Sequence, residues 1–169
     1  MRILGIDPGL QVCGYAVLNA GDGPEALVEA GVFRTNSGLT IEQKLNQIAG
    51  DTRTLIKKFR PEVVAVEQLY SHYAHPRTAI LMGHARGVIL QKAAEAGVEV
   101  RSFSATRIKK SVTGSGRASK EQMQKAVQTV LHLRQMPTPS DVADAMAVAL
   151  CCANSRFVAI GRRPSRMAH

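Results

Sequence analysis

Two aspartates three residues apart open the apolar stretch "DVADAMAVAL" (141–150). At that spacing Asp141 and Asp144 fall on one face of a helix, with Val148 continuing the stripe toward a core. Two readings stand side by side. Acids in a first turn are favoured by the helix dipole, which suits Asp141 directly after a Ser140 cap. Neighbouring carboxylates also repel unless a cation sits between them, which points to a metal site or to catalysis. Two further acids stand at strand ends, Asp7 closing "MRILGID" and Glu67 closing the apolar run of "EVVAVEQ". Each has a plain alternative, since "DPG" is a turn that favours Asp at its first position and Glu67 is a solvated residue after a buried strand. Beyond strand ends is nevertheless where chemistry gathers in sheets with crossover helices.

Gathered together, such carboxylates raise one another's pKa values and call for cations. All-oxygen ligands suit hard divalent ions, Mg²⁺ first and Mn²⁺ as its substitute, bound singly or in pairs. A pair of such ions forms the clamp used for in-line displacement at phosphodiesters.

The elements that must position these acids follow from periodicity. "MRILGID" (1–7), "VCGYAVLN" (12–19) and "ALVEAGVFR" (26–34) read as antiparallel strands separated by the turns "PGLQ" and "GDGPE". Residues 41–59 read as an amphipathic helix, with Ile41, Leu45, Ile48, Thr52, Leu55 and Ile56 inward and Lys44, Arg53, Lys57 and Lys58 outward. "EVVAVEQ" (62–68) reads as a strand buried on both faces. A helix over 77–96 ended by Gly97, a strand over 98–103, the loop "TGSGRAS" (113–119), and helices over 120–133 and 140–154 complete the order. Ser119 and Gln122 are placed for a capping box. The expected class is α/β, a mixed five-stranded sheet of order βββαβαβ followed by helices, in a single domain over residues 1–158. Residues 159–169 form a short basic tail.

Composition narrows the partners. A chain of 169 residues, 45% hydrophobic and with a formal charge of +9, reads as one folded domain drawn to a polyanion. No apolar run reaches the roughly 18–20 residues that span a bilayer, and the opening meets an acid too early for a secretory signal, so the expected location is the cytoplasm and no membrane partner is expected. Cys13, Cys151 and Cys152 lack metal-ligand spacing and read as buried, unpaired thiols. A basic protein carrying an acidic metal site reads as a nuclease.

"ILGIDPGL…GYAVL" (3–18), "VAVEQLYSHYAHPRTAILMGHARGVIL" (64–90), "VTGSGRASKEQM" (112–123) and "SDVADAMAVAL" (140–150) together resemble the RuvC family of Holliday-junction resolvases. The likeness runs nearly end to end. It implies an RNase H-like fold, four metal-binding and catalytic acids at Asp7, Glu67, Asp141 and Asp144, and paired symmetric nicking of four-way DNA junctions in recombination and repair. It also implies a homodimer built on the helix over 77–96, around Ile80, Leu81, Gly83, Gly87 and Val88, and cooperation with a branch-migration motor.

For DNA contact, the segment "QLYSHYAHPR" sets Tyr70 and Tyr73 beside His72, His75 and Arg77 in a chain only 4% aromatic, a place for an unstacked base to rest on a ring. The resemblance makes Tyr70 a wedge at the crossover, where the family's usual residue is similar to Phe. His72 and His75 have ligand spacing but no evident third partner. Cations cluster again at Arg101, Arg107, Lys109, Lys110, Arg117, Lys120 and Lys125, and phosphate is their natural partner. Lys109 and Lys120 are the ones the resemblance assigns to holding the backbone and assisting incision. Two rivals remain at this level: a non-cutting nucleic-acid-binding module, which has no need of the four acids, and an RNA–DNA hybrid ribonuclease. An actin-like ATPase would share "GIDPG" but needs two such domains.

Overall fold

The computed structural model describes residues 1–21, 23–69 and 76–161. Its strands are β1 (Arg2–Asp7), β2 (Val12–Asn19), β3 (Ala26–Arg34), β4 (Val63–Glu67) and β5 (Glu99–Phe103). Its helices are α1 (Ile41–Phe59), α2 (Pro76–Glu95), α3 (Ala105–Thr113), α4 (Lys120–Val130) and α5 (Ser140–Gly161). The strands form one five-stranded sheet in the order β3-β2-β1-β4-β5. β1, β2 and β3 pair antiparallel, whereas β4 runs parallel to both β1 and β5. The mixed sheet and its βββαβαβ order are those expected.

Strand alternation builds two cores, one on each face of the sheet. Leu4 and Ile6 of β1 and Val64 and Val66 of β4 pack with Ile48, Ile56 and Phe59 of α1 and Ala85 and Ile89 of α2. Ile3, Val63 and Ala65 face the other way, onto Met123 and Val127 of α4 and Met146 and Leu150 of α5. Central β4 is buried on both sides from Val63 to Val66, as its unbroken apolar run requires. The same alternation sends Asp7, two residues beyond Gly5, and Glu67, two beyond Ala65, toward the α5 face.

α5 lies directly across β1 and β2 because two glycines leave room for it. A Cβ at Gly14 would collide with the Asp141 carbonyl oxygen, and one at Gly5 with that of Ala145. Gly14 is also the register partner of Asp7. The seating of α5 and the placing of Asp141 beside Asp7 are thus one event.

Several boundaries differ from expectation. α3 is a helix that periodicity did not reveal: it is short, and only Ile108 of its residues is fully buried. Its signals are the Ser104 cap, whose hydroxyl accepts from the Arg107 N–H at 3.2 Å, and Gly114 at φ 79 closing the far end. α4 stops at Val130 rather than 133, where His132 turns left-handed and the Leu133 N–H closes onto the Gln128 carbonyl at 2.9 Å. Ser140 is the first residue of α5 rather than a cap, and the Val142 N–H donates to the Pro139 carbonyl. α5 continues to Gly161, past 154 and past the tail expected from 159, because nothing in "NSRFVAIG" breaks a helix before that glycine. In α1, Lys44 is buried and Ile41 exposed. Lys44 stands one turn before Ile48 on the inward stripe, where a lysine stem can cover apolar surface.

The expected capping box of α4 is present: the Ser119 N–H donates to Gln122 Oε1 at 2.8 Å, and the Gln122 N–H to Ser119 Oγ at 3.2 Å. Gly97 ends α2 at φ 69, with the Val98 N–H reaching back to the Ala93 carbonyl. All three cysteines are buried and free. Among the described residues no helix is long and apolar enough to cross a membrane.

Candidate active site

β1 and β4 are parallel neighbours in register at Ile6 and Val66, so the residues that follow, Asp7 and Glu67, end side by side. Asp144, one turn into α5, meets them there. These carboxylates line one pocket with Lys109 of α3 and Lys120 of α4, over a floor that includes Ile108, Met123 and Ala147. Asp141 does not line the pocket, but its charge acts on both Asp7 and Asp144.

The electrostatics are those of crowded anions. Burial, and then the charges of Asp144, Glu67 and Asp141, push the Asp7 carboxyl up from 3.8 to about 8, against the pull of Lys120. Glu67 is raised by burial and by Asp144, with Lys109 opposing. Asp144 is raised by burial despite Lys120, whose ammonium lies 3.5 Å from Asp144 Oδ2. The Lys120 side chain is 64% exposed, so this pair lends little stability, and its ammonium stays accessible to an incoming phosphate. Behind the site, burial pushes the Cys13 thiol up to about 12. It therefore stays neutral and donates to the Gly9 carbonyl at 2.8 Å, while the Gly9 N–H donates back to its sulfur, bracing the turn that follows Asp7.

The donor set fits a hard divalent cation by chemistry: carboxylate oxygens only, partly buried, with more negative charge than the nearby lysines offset. As they stand, no three His, Cys, Asp or Glu side chains among the described residues converge on a single ligand position. The fit therefore rests on donor type and charge.

The other expected contacts are dispersed. Arg107 and Lys110 leave α3 on the far side from the pocket, lining a second cavity with Ser111, Cys151 and Asn154, and the Arg107 guanidinium sits 5.1 Å from the Phe103 ring centroid. Arg117 and Arg77 are exposed, the latter near the start of α2. Arg101 and Lys125 are engaged in surface ion pairs with Glu99 and Glu121, both at 2.7 Å. Tyr70, Tyr73, His72 and His75 lie outside the described residues.

One residue near the site went unmarked in the sequence. Arg86 of α2 donates from Nε to the Glu67 carbonyl at 2.9 Å and from Nη2 to Ser102 Oγ at 2.8 Å. Its signal was an arginine one step after buried Ala85 and three before buried Ile89, inside an otherwise apolar turn of helix.

A mixed sheet of this order, with acids gathered where β1 and β4 end beneath a C-terminal helix, defines the class of RNase H-like nucleases. The family model for crossover junction endodeoxyribonuclease RuvC matches residues 3–152. The chain belongs to the RuvC family. A curated RuvC of Rhodopirellula baltica is 51% identical over 150 residues, covering 88% of this chain and 84% of that one. One of Heliobacterium modesticaldum is 42% identical over 155 residues, covering 92% and 95%. The solved structure of Thermus thermophilus RuvC in complex with Holliday junction substrate superposes with a TM-score of 0.87 at 32% identity, covering 94% of this chain and 96% of that one. The yeast mitochondrial Holliday junction resolvase Ydc2, at 17% identity and a TM-score of 0.71, shares the fold.

Proposed function

We propose that this chain is a divalent-metal-dependent endodeoxyribonuclease that resolves four-way DNA junctions by symmetric nicks in strands of like polarity. The observation that carries the reading is the convergence of Asp7, Glu67 and Asp144 with Lys109 and Lys120 around one pocket, in a member of the RuvC family. Asp7, Glu67, Asp141 and Asp144 would hold Mg²⁺, or Mn²⁺ in its place. A cation held there supplies the positive charge that polarises a phosphodiester and acidifies attacking water.

The chain's own groups do the rest. Lys120, exposed and beside Asp144, is placed to take a phosphate oxygen when the strand arrives. Lys109, which also lines the pocket, offsets charge at Glu67 and contacts the flanking backbone. Tyr70 would stack at the crossover, Tyr73 is a further candidate DNA contact, and Arg77, Arg107, Lys110 and Arg117 contact phosphates of the arms. The catalytic unit is a single domain running to the end of α5, acting in the cytoplasm.

Two matched cuts call for two sites related by a two-fold axis, which an isologous homodimer supplies. α2 is the candidate interface: its inner face, with Ala85 and Ile89 and with Val88 beside them, is spent on the core, while Ile80 is 61% exposed and Leu81 half-buried. A branch-migration motor is the expected working partner.

The deciding experiment is cleavage of a labelled mobile four-way junction in Mg²⁺ by the parent and by Asp7→Asn, with linear duplex and RNA–DNA hybrid alongside. Paired symmetric nicks that vanish in the variant are expected. Junction binding without cutting by either protein would favour a binding module, and cleavage of the hybrid alone would make this a ribonuclease.

A further inference from the structure

The Arg86 guanidinium spans two elements of the sheet from outside it. Its fork reaches the Glu67 carbonyl at the end of β4 and the Ser102 hydroxyl on β5, at 2.9 and 2.8 Å. At this point β4 is leaving the ladder. The pairing of β1 with β4 ends at Ile6 and Val66, one residue before Glu67, and on the other side the Gln68 N–H makes a bond to the Phe103 carbonyl at 2.8 Å. Past the end of the β1 ladder, a hold on the Glu67 carbonyl limits how far the Glu67 peptide can swing. Such a swing changes ψ of Glu67 and with it which χ1 rotamers the side chain can adopt. The charges acting on the Glu67 carboxyl are those of Asp144 and Lys109. Arg86 grips the other end of the residue, its main chain.

We propose that Arg86 is a positioning residue that fixes the backbone of Glu67, and so aims its carboxylate into the pocket, by clamping α2 to the ends of β4 and β5. This rests on the reading of Glu67 as a metal-holding group. The planar fork is what the task needs, because two acceptors on different strands must be held at once. Lysine keeps the charge and loses the fork. Glutamine is shorter and neutral.

The test compares the parent with Arg86→Lys, Arg86→Gln and Ser102→Ala, the last removing one anchor while leaving the arginine. Three measurements are made: junction cleavage against Mg²⁺ concentration, the rise in Tm that Mg²⁺ produces, and amide exchange of Gln68 relative to Val64 in metal-free buffer. Outer partners of metal ligands typically contribute about 10–100-fold in affinity or activity. The Mg²⁺ midpoint is therefore expected to rise about tenfold or more in both Arg86 variants and less in Ser102→Ala, with a matching loss of the Mg²⁺-induced Tm rise. Gln68 is expected to exchange about tenfold faster while Val64 does not, and junction binding in EDTA is expected to hold.

A lower Tm with an unchanged Mg²⁺ midpoint would show a general structural role and overturn the assignment. Full recovery in Arg86→Lys would overturn it too, by showing that charge alone suffices. If the parent itself neither cleaves nor responds to Mg²⁺, the functional reading fails separately. The exchange ratio at Gln68 then still decides whether Arg86 holds this strand end, and an unchanged ratio ends the proposal. Should Arg86→Gln fail to fold, Ser102→Ala carries the same comparison.

Discussion

Asp7 is the residue at which the opposing demands of folding and chemistry are sharpest. Its carboxyl, pushed up to about 8 by burial and by Asp144, Glu67 and Asp141, is more easily ionised in the unfolded chain than in the folded one. The sign follows from proton linkage. Between the unfolded value near 4 and the folded value near 8 the native state holds the extra proton, so this group's contribution to stability falls as pH rises through that window. In metal-free buffer the parent is therefore expected to melt lower at about pH 9 than at about pH 5, with Glu67 and Asp144 adding in the same sense. Asp7→Asn removes the largest part of this penalty. It should be more stable than the parent at about pH 9, by on the order of a few kcal/mol at most, and so melt higher, while losing cleavage. A variant melting lower than the parent under those conditions would show that the Asp7 carboxylate is not strained by its neighbours. Added Mg²⁺ should close the gap, stabilising the parent more than the variant.

At the scale of elements, the site depends on how closely α5 approaches the sheet. Gly14 and Gly5 let its backbone touch β2 and β1, and small Ala145 and Ala149 face Gly5 from above. Gly14→Ala puts a methyl group where the Asp141 carbonyl lies, and both partners are main chain, so neither yields cheaply. Overpacking of this kind costs about 1–3 kcal/mol. Gly14→Ala is expected to lose about that much stability in denaturant titration and to lose cleavage more than tenfold while still folding, because α5 carries Asp141 and Asp144 away from Asp7. Activity at the parent's level would mean that the seat of α5 tolerates a shift. α3 and α4 matter as the carriers of Lys109 and Lys120. Both start at serine caps, Ser104 and Ser119, and Ser119→Ala should cost about 1 kcal/mol. Fraying of that turn releases Lys120, the first residue of α4, so cleavage should weaken beyond what the small change in melting temperature explains.

Across the whole molecule, a formal charge of +9 surrounds a pocket that is itself anionic. Positive charge on the rim brings the polyanion in, and the carboxylates repel it until cations intervene. Junction binding is expected to weaken linearly in log–log with salt, with a slope near 0.9 per phosphate neutralised. Arg107→Ala and Lys110→Ala, both away from the pocket, should each lower that slope by about one and leave the cleavage rate of bound junction unchanged. A slope that neither variant alters would remove the α3–α5 cavity from the DNA path.

Much of this architecture was written in local patterns. The period-two alternation of β1, β2 and β3, the unbroken apolar run of β4 and the capping box of α4 are set by neighbours within a few residues, so they survive reading in one dimension. The strand-end acids and the Asp141–Asp144 pair were legible for the same reason, and the four ordered motifs were enough to indicate the family. Tertiary structure decided the rest. α3 escaped because a helix of nine residues with one fully buried position carries too little amphipathic signal, and its stability comes from packing on α5. Lys44 turned inward and Ile41 outward because a helix's phase is set by the surface it lands on. Arg86 was invisible as a partner of Glu67, since a bond between residues 19 apart, from helix to strand end, exists only once α2 has docked. The same holds for the pocket: the sequence determined which acids stand at strand ends, and only the close seat of α5 on Gly14 and Gly5 determined that they share one field.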